Sequence, residues 1–448
     1  MDARALVTSA IAATEARSRP ALEALWVGAR LRAGDGDPAE LLGSVPASLQ
    51  ALSLGYVARA GRAPGAALAA EARAIVRRWR GERGALSDDE AALGLWAGLA
   101  PGEVGMGQVR PGLAALDQYS LARRMLAWGV PATFGEAARW IDAHLTGRAW
   151  DAGIATAVQL RRPRVEEAVA LVARVGDPVL RFDAAVYLAI PPPAPSALPP
   201  APALEGPGGI GTFGAASEQV VSLGCAAFDA LEARAREQPT LRAKRAALVA
   251  GVAPDEARAA LVPLVIARGT PLVWLGASAE TAPRWGAIAA ARCGFEVWRP
   301  WVEACIEARG NYALGERREA LLVDVLAAAR HLPDLEARRD AVLGVFRDAL
   351  PRWRGPLWRA LAWCEAIALG GGAGVGPMVN EALARLREAR GHAALGAHLP
   401  DLVRALAPHA PERLSEVLGM IGDPGLRALG AMMLYEELGG DRRADAVV

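Results

Sequence analysis

Lysine is almost absent from this chain of 448 residues: Lys244 is the only one, although lysine and arginine together number 50. Asparagine is also rare, with only Asn311 and Asn380. Both amino acids have AT-rich codons, so a GC-rich genome accounts for the shortage, and the arginine excess by itself does not indicate phosphate binding. With 49 acidic residues the formal net charge is +1, which excludes a strong overall field for attracting nucleic acid or an anionic membrane.

Cysteine is scarce as well, and the chain has no C-x-x-C pair. The four cysteines are too few for a disulfide framework in a chain this long, so they predict free thiols in a reducing compartment: Cys225, Cys293, Cys305 and Cys364. The most apolar stretch, residues 260–279, is interrupted by Pro263 and Pro271 and is not expected to span a membrane. The start of the chain is not typical of a signal peptide. These features predict a soluble cytoplasmic protein of bacterial type.

Apolar residues make up 53% of the chain, and alanine, the best helix former, is abundant among them. They recur at the i, i+3, i+4, i+7 spacing of an amphipathic helix. Clear cases are Val165, Ala168, Val169 and Val172; Leu322, Val325, Leu326 and Ala329; Val379, Ala382, Leu383 and Leu386; and Leu414, Val417, Leu418 and Ile421. Capping and breaker residues divide the chain into about twenty predicted helices of roughly 10–18 residues with short loops, which favours antiparallel helical hairpins.

Two short stretches resemble each other and are here called the echo motifs. They are Gly-Asp-Pro-Val-Leu-Arg at 176–181 and Gly-Asp-Pro-Gly-Leu-Arg at 422–427. In each, the aspartate can cap a new helix, and the proline can occupy its first position without losing a hydrogen bond. The same capping pattern is present at Asp37-Pro38 and Thr270-Pro271.

The echo motifs and their flanks, residues 163–189 and 411–437, resemble HEAT-type helical repeats. The resemblance implies stacked helical hairpins and a scaffold or binding role, and it carries no catalytic residue. It also implies that four positions of each motif face the core: Leu180, Ala184, Ala185 and Leu188 in the first, and Leu426, Gly430, Ala431 and Leu434 in the second. The expected fold is therefore all-α, a degenerate HEAT-like α-solenoid of stacked antiparallel hairpins in two lobes.

A proline- and glycine-rich segment at residues 191–214 interrupts the helical pattern. It contains eight prolines and a single charged residue, Glu205, so it predicts an extended linker. The predicted organisation is an N-terminal helical lobe at 1–190, the linker at 191–214 and a C-terminal helical lobe at 215–448.

Motifs for cofactors or metals do not have the context that such sites need. Residues 209–214 match G-x-G-x-x-G, but a proline-rich segment precedes them instead of a strand. The five histidines are scattered, and His392 and His398 are six residues apart, so they would not share a helix face. The sequence therefore predicts no cofactor and no metal site.

Arginine is interleaved with tryptophan at residues 352–359, 298–301 and 77–80, and these residue types are enriched in binding hot spots. Arginine can pair with phosphate, and an indole can stack on a base. Alternatively, tryptophan fills gaps between alanine-rich helices while arginine stems cover it. The candidate binding residues are Arg352, Trp353, Arg354, Trp358, Arg359, Trp298, Arg299 and Trp301.

The function that the sequence favours is a non-enzymatic scaffold or adaptor with a helical-repeat groove for a protein or peptide partner, without membrane contact. One alternative is a nucleic-acid-binding repeat protein that uses the arginine and tryptophan clusters. The other is an enzyme with a site between the lobes, using acids such as Asp117, Asp142 or Glu365.

Overall fold

The computed structural model describes residues 3–58, 64–100, 102–104, 126, 133–190, 218–231, 239–266, 282–307, 315–370, 374–392 and 394–438. Within these residues the protein has 22 α-helices, five 3-10 helices and no strand. The prediction of an all-α fold is confirmed.

The helices are numbered in chain order. The first eight are α1 (Ala3–Ala12), α2 (Arg19–Ala33), α3 (Pro38–Gly43), α4 (Gln50–Ala58), α5 (Ala66–Arg83), α6 (Asp88–Trp96), α7 (Phe134–His144) and α8 (Gly147–Arg161). The next six are α9 (Val165–Arg174), α10 (Pro178–Ala189), α11 (Glu218–Asp229), α12 (Pro239–Val249), α13 (Pro254–Ile266) and α14 (Ala282–Arg292). They are followed by α15 (Phe295–Glu307), α16 (Gly315–Ala327), α17 (Leu335–Ala349), α18 (Pro356–Gly370) and α19 (Val375–Glu388). The last three are α20 (Leu399–Leu406), α21 (Leu414–Gly419) and α22 (Pro424–Glu437). The 3-10 helices are Ala47–Leu49, Ala328–His331, Leu350–Arg352, Leu395–His398 and Pro411–Arg413.

The helical periodicity of the sequence identifies the buried faces correctly. All members of the groups that begin at Leu322, Val379 and Leu414 are buried. In the group that begins at Val165, only Val165 itself is half-buried. An apolar stripe on each helix is therefore removed from water, and this burial is the main stabilising contribution of the helix.

Contacts divide the described residues into two compact units. The first consists of the described residues up to Pro163 together with those that follow His392, and the second of the described residues from Arg164 to His392. The predicted lobes follow a different grouping, since their boundary is the segment 191–214. That segment lies outside the described residues, and the linker and the two lobes stay predictions.

In the first unit, the beginning and the end of the described chain pack against each other. Helix α22 lies against α1 and α2, and it also contacts α20 and α21. Helix α2 in turn packs on α4, and α4 on α6. A core of buried residues from Ala24 to Val104 lies among helices α2 to α6 and includes Trp79 on α5.

In the second unit, extensive contacts join helices that are close neighbours along the chain. Helix α12 packs on α13 and α14, α14 on α15 and α16, and α16 on α18. Each of these contacts involves helices one or two positions apart in the order of the described helices. The same holds at both ends, where α9 packs on α10 and α11, and α18 packs on α19.

Both echo motifs have the same local structure, which explains their shared sequence. The Asp177 side chain accepts hydrogen bonds from the N–H groups of Val179 and Leu180 at the start of α10. The guanidinium of Arg181 then reaches back to the carbonyl oxygen of Val175, with an Nε–O distance of 2.6 Å. The aspartate thus satisfies donors of the new helix, and the arginine satisfies an acceptor at the end of the previous one.

The second motif repeats these two bonds. Asp423 accepts from the N–H of Leu426 at 2.8 Å. Arg427 donates from Nη2 to the carbonyl oxygen of Ile421, also at 2.8 Å. The aspartate cap is present again at Asp37, which accepts from two N–H groups at the start of α3. The caps predicted for these three Asp-Pro pairs are confirmed, whereas Thr270-Pro271 lies outside the described residues.

One expectation from the repeat resemblance is wrong. Leu426, expected to face the core, is 37% exposed, and its side chain covers Gly396. Its counterpart Leu180 is half-buried, whereas the other six positions expected to face the core are buried. Exposure at this position depends on which helices pack around the first turn of α22, and the helical spacing does not reveal this.

Candidate functional site

The arginine and tryptophan residues singled out in the sequence come from two neighbouring parts of the second unit. Trp298, Arg299 and Trp301 lie on α15, which packs on α17. The others lie in the turn after α17 and at the start of α18. The pKa of Arg299 is raised, first by its hydrogen bond to Glu303 and more weakly by Asp348 near the end of α17. The helix that carries the first motif therefore packs against the helix that ends just before the second.

The four tryptophans of this set point into the protein. Trp298 has no exposed surface, and Trp301, Trp353 and Trp358 are 4–8% exposed. The ring of Trp301 lies directly on Gly286 of α14, where a Cβ atom would overlap it. In this arrangement the indoles fill space between helices and are not available for stacking on a base. The burial agrees with the packing interpretation, and a binding role for these residues stays a prediction.

The arginines of the set lie mainly at the surface. Arg299, Arg352 and Arg354 are exposed and are called the arginine ridge below, whereas Arg359 is half-buried. Arg299 donates to Glu303 at 2.9 Å, an exposed pair within one helix. An exposed pair of this kind holds a guanidinium only weakly.

A carboxylate from another helix holds the turn that carries two of these arginines. Glu319 on α16 accepts from the backbone N–H groups of Arg354 and Gly355, both at 2.7 Å. Gly355 directly precedes Pro356, the first residue of α18, so its N–H belongs to the orphan groups of a helix start, and Arg354 comes just before it. Sequence reasoning missed Glu319 because it is 35 residues away from Arg354 and no local pattern connects them.

The only lysine of the chain is held at the junction of three helices. Its Nζ atom lies 2.7 Å from Oδ1 of Asp183 on α10. The ring centroids of Tyr187 on α10 and Trp285 on α14 lie 5.8 and 5.7 Å from Nζ. The Lys244 side chain is 12% exposed, so the ammonium is largely removed from water and stabilised by one carboxylate and two π faces. The sequence showed that this lysine was unique but not that it had these partners.

Replacement of Lys244 by methionine should lower the free energy of unfolding by about 1–3 kcal/mol, because it leaves Asp183 without its cation. Arginine should not restore the loss fully, since a planar guanidinium does not fit a site shaped around a compact ammonium. Urea denaturation measures both changes. The matched control is Arg258→Met on α13, which removes an exposed pair with Asp255 and should cost less than about 1 kcal/mol. Equal effects of the two methionine variants would contradict this assignment.

A second polar cluster, in the first unit, was not foreseen from the sequence. Tyr435 donates from its hydroxyl to Oδ2 of Asp35 at 2.5 Å, and Arg30 donates to the same oxygen at 3.0 Å. Burial alone would raise the pKa of Asp35, but the hydrogen bonds from Tyr435 and Arg30 lower it overall. Next to Tyr435, Glu436 lies 3.1 Å from Arg32. Burial raises the pKa of Glu436 to about 7 despite the opposing effects of Arg32 and Tyr56.

Of the acids considered for an enzymatic site, the two that the structure describes have structural partners. Asp142 accepts from Nε1 of Trp150 at 2.7 Å, Glu365 pairs with Arg330, and Asp117 lies outside the described residues. No group of three or more His, Cys, Asp or Glu side chains in the described part of the chain is arranged to hold a metal ion. Burial, followed by nearby arginines, lowers the pKa of His331 to about 3, so this histidine is neutral at physiological pH.

Comparison with known proteins finds no match for this chain among family models, curated proteins or solved structures. The helices of the described residues include none with the length and apolar character needed to cross a membrane.

Proposed function

We propose that this protein is an α-solenoid of stacked helical hairpins and acts as a non-enzymatic scaffold or adaptor for a protein or peptide partner. The observation that supports this most strongly is the packing of the second unit, in which extensive contacts join helices one or two positions apart. Such nearest-neighbour packing is typical of repeat proteins, which use their extended surfaces to bind partners.

The echo motifs add independent support for a repeated unit. In each, an aspartate caps a helix and an arginine four residues later binds a carbonyl oxygen of the preceding turn. Two bonds in the same relative positions, in two separate compact units, favour a supersecondary element that the chain uses more than once. The HEAT-like resemblance itself stays a prediction.

The arginine ridge is the surface of the second unit that we propose for the partner. Its three guanidinium groups are exposed, and Glu319 fixes the turn that carries two of them. Guanidinium groups bind carboxylates in a bidentate geometry, which suits an acidic peptide or protein segment. The buried tryptophans favour this partner over single-stranded nucleic acid, because base stacking would require exposed rings.

Substitution of all three ridge arginines by alanine should weaken partner binding at least about tenfold, as expected for the loss of interface arginines. Affinity capture from the native host with quantitative mass spectrometry, followed by titration of the captured partner, measures the effect. The control replaces three exposed arginines elsewhere in the second unit: Arg164, Arg258 and Arg390.

Equal binding by both triple variants would contradict the proposed surface. Binding of the wild-type chain to a single-stranded oligonucleotide, with an affinity that falls steeply as salt rises, would favour the nucleic-acid alternative instead.

A further inference from the structure

Helix α22, the last of the described helices, is held on the first unit by two consecutive polar residues near its end. Tyr435 donates to Asp35, which follows α2, and its ring meets the ring of Trp26 edge-on at a centroid distance of 4.7 Å. Glu436 lies against Arg32 on α2, with 3.1 Å between Oε2 and Nη1. Both ties join parts of the chain that are about 400 residues apart in sequence.

The two ties differ in how completely the oxygens of the carboxylate, Asp35 in one and Glu436 in the other, accept hydrogen bonds. The Asp35 carboxylate receives hydrogen bonds from Tyr435 and Arg30. The Glu436 side chain is only 13% exposed, and its Oε1 atom is buried without a hydrogen-bond partner among the described residues. Burying an ionised carboxylate costs much free energy when one of its oxygens accepts no hydrogen bond. Burying the protonated carboxyl costs less.

The charged and titratable groups around Glu436 come from three helices. Arg32 on α2 favours the ionised form, Tyr56 on α4 donates to it, and Glu437 on α22 itself opposes it. Arg4, which is on α1, lies near Asp35, 4.0 Å away. The shorter helices α20 and α21 also touch α22, and no charged group of theirs in the described residues acts on Glu436. The loss of water around Glu436 therefore raises its pKa by more than Arg32 lowers it.

We propose that α22 is a pH-sensitive latch, which docks on α1 and α2 while Glu436 is protonated and loosens from them as Glu436 ionises. The proposal goes beyond the scaffold function and does not depend on it. Release of α22 would uncover apolar surface of the first two helices, which carry buried residues such as Val7, Ile11 and Ala24.

The direction of the effect follows from proton linkage. The pKa of Glu436 is about 7 with α22 docked, against 4.5 for a solvated glutamate. Between these values the docked form binds more protons than the released form, so rising pH favours release. Docking should be strongest below pH 4.5, decline through the window up to about 7 and then level off. From pH 6 to pH 8 the docking equilibrium should weaken by about tenfold.

Hydrogen exchange of the full chain tests the latch. Protection factors of the amides in α22, corrected for the intrinsic pH dependence of exchange, should fall about tenfold from pH 6 to pH 8. Helix α5, which belongs to the same unit but makes no extensive contact with α22, should keep its protection. A constant protection of α22, or an equal loss in α5, would overturn the proposal.

Three variants separate the two ties. Glu436→Gln stays neutral at every pH, so it should remove the pH dependence of α22. Glu437→Gln, which neutralises the exposed neighbouring acid, should keep it, with the window moved slightly towards lower pH. Tyr435→Phe removes the other tie and should lower the protection of α22 at both pH values without changing their ratio. If Glu436→Gln kept the wild-type pH dependence, ionisation of this residue would not control the helix.

Discussion

Truncation of Trp298 to alanine is expected to lower the free energy of unfolding of the second unit by about 3–5 kcal/mol, the usual cost of removing a large buried aromatic side chain. Trp298 has no exposed surface, and its ring lies 6.0 Å from that of Phe295 on the same helix. Alanine leaves a cavity that the rigid helices around it can close only in part. Chemical denaturation followed by far-UV circular dichroism measures the loss.

The alanine variant of the exposed Arg299 on the same helix is the matched control. It removes one exposed ion pair with Glu303, so its free energy of unfolding should remain within about 1 kcal/mol of the wild type. If Trp298→Ala were as stable as Arg299→Ala, the indole would not be packed in the interior. The tryptophan would then again be available as a binding residue.

Replacement of Gly28 by alanine is expected to destabilise the first unit by about 1–3 kcal/mol or more through overpacking. A Cβ atom at this position would lie 2.8 Å from the carbonyl oxygen of Ser53 and 2.8 Å from Cβ of Tyr56. Both obstacles belong to α4, so no simple side-chain rotation relieves the clash. The helices are further tied by a hydrogen bond of 2.7 Å from the Ser53 hydroxyl to the carbonyl oxygen of Ala24.

The same substitution at Gly81 should have the opposite sign. Gly81 lies in the exposed part of α5, and a Cβ atom there would meet nothing within 4 Å. Alanine should therefore stabilise the protein by up to about 1 kcal/mol through its higher helix propensity. Thermal or urea denaturation of both variants checks the contrast. Stabilisation by both substitutions to a similar degree would show that α2 and α4 do not approach as closely as described.

Local features of the fold were accessible from the sequence because their causes are local. The aspartates before Pro38, Pro178 and Pro424 cap helices, as their chemistry predicts. The apolar groups at helical spacing are buried, because one stripe of each helix must leave water. The number of helices predicted, about twenty, also agrees with the 22 in the described residues.

The candidate binding residues show where such reasoning stops. The sequence could group arginine and tryptophan but could not separate them, since both types occur at interfaces and in helix packing. The structure buries Trp298 and Trp353 and leaves Arg299 and Arg352 at the surface. The side of a helix that is buried depends on the helices that pack against it. The sequence around the helix only partly determines which helices these are.

The sequence by itself determined the all-α character, the helix starts and the apolar faces, since these depend on the propensities and spacing of residues within one or two turns. Only the tertiary structure decided that α22 returns to α1 and α2, that Glu319 caps α18, and that Lys244 meets Asp183. These contacts join residues tens to hundreds of positions apart. Their partners are selected by burial and charge compensation in the folded chain, for which no local pattern exists.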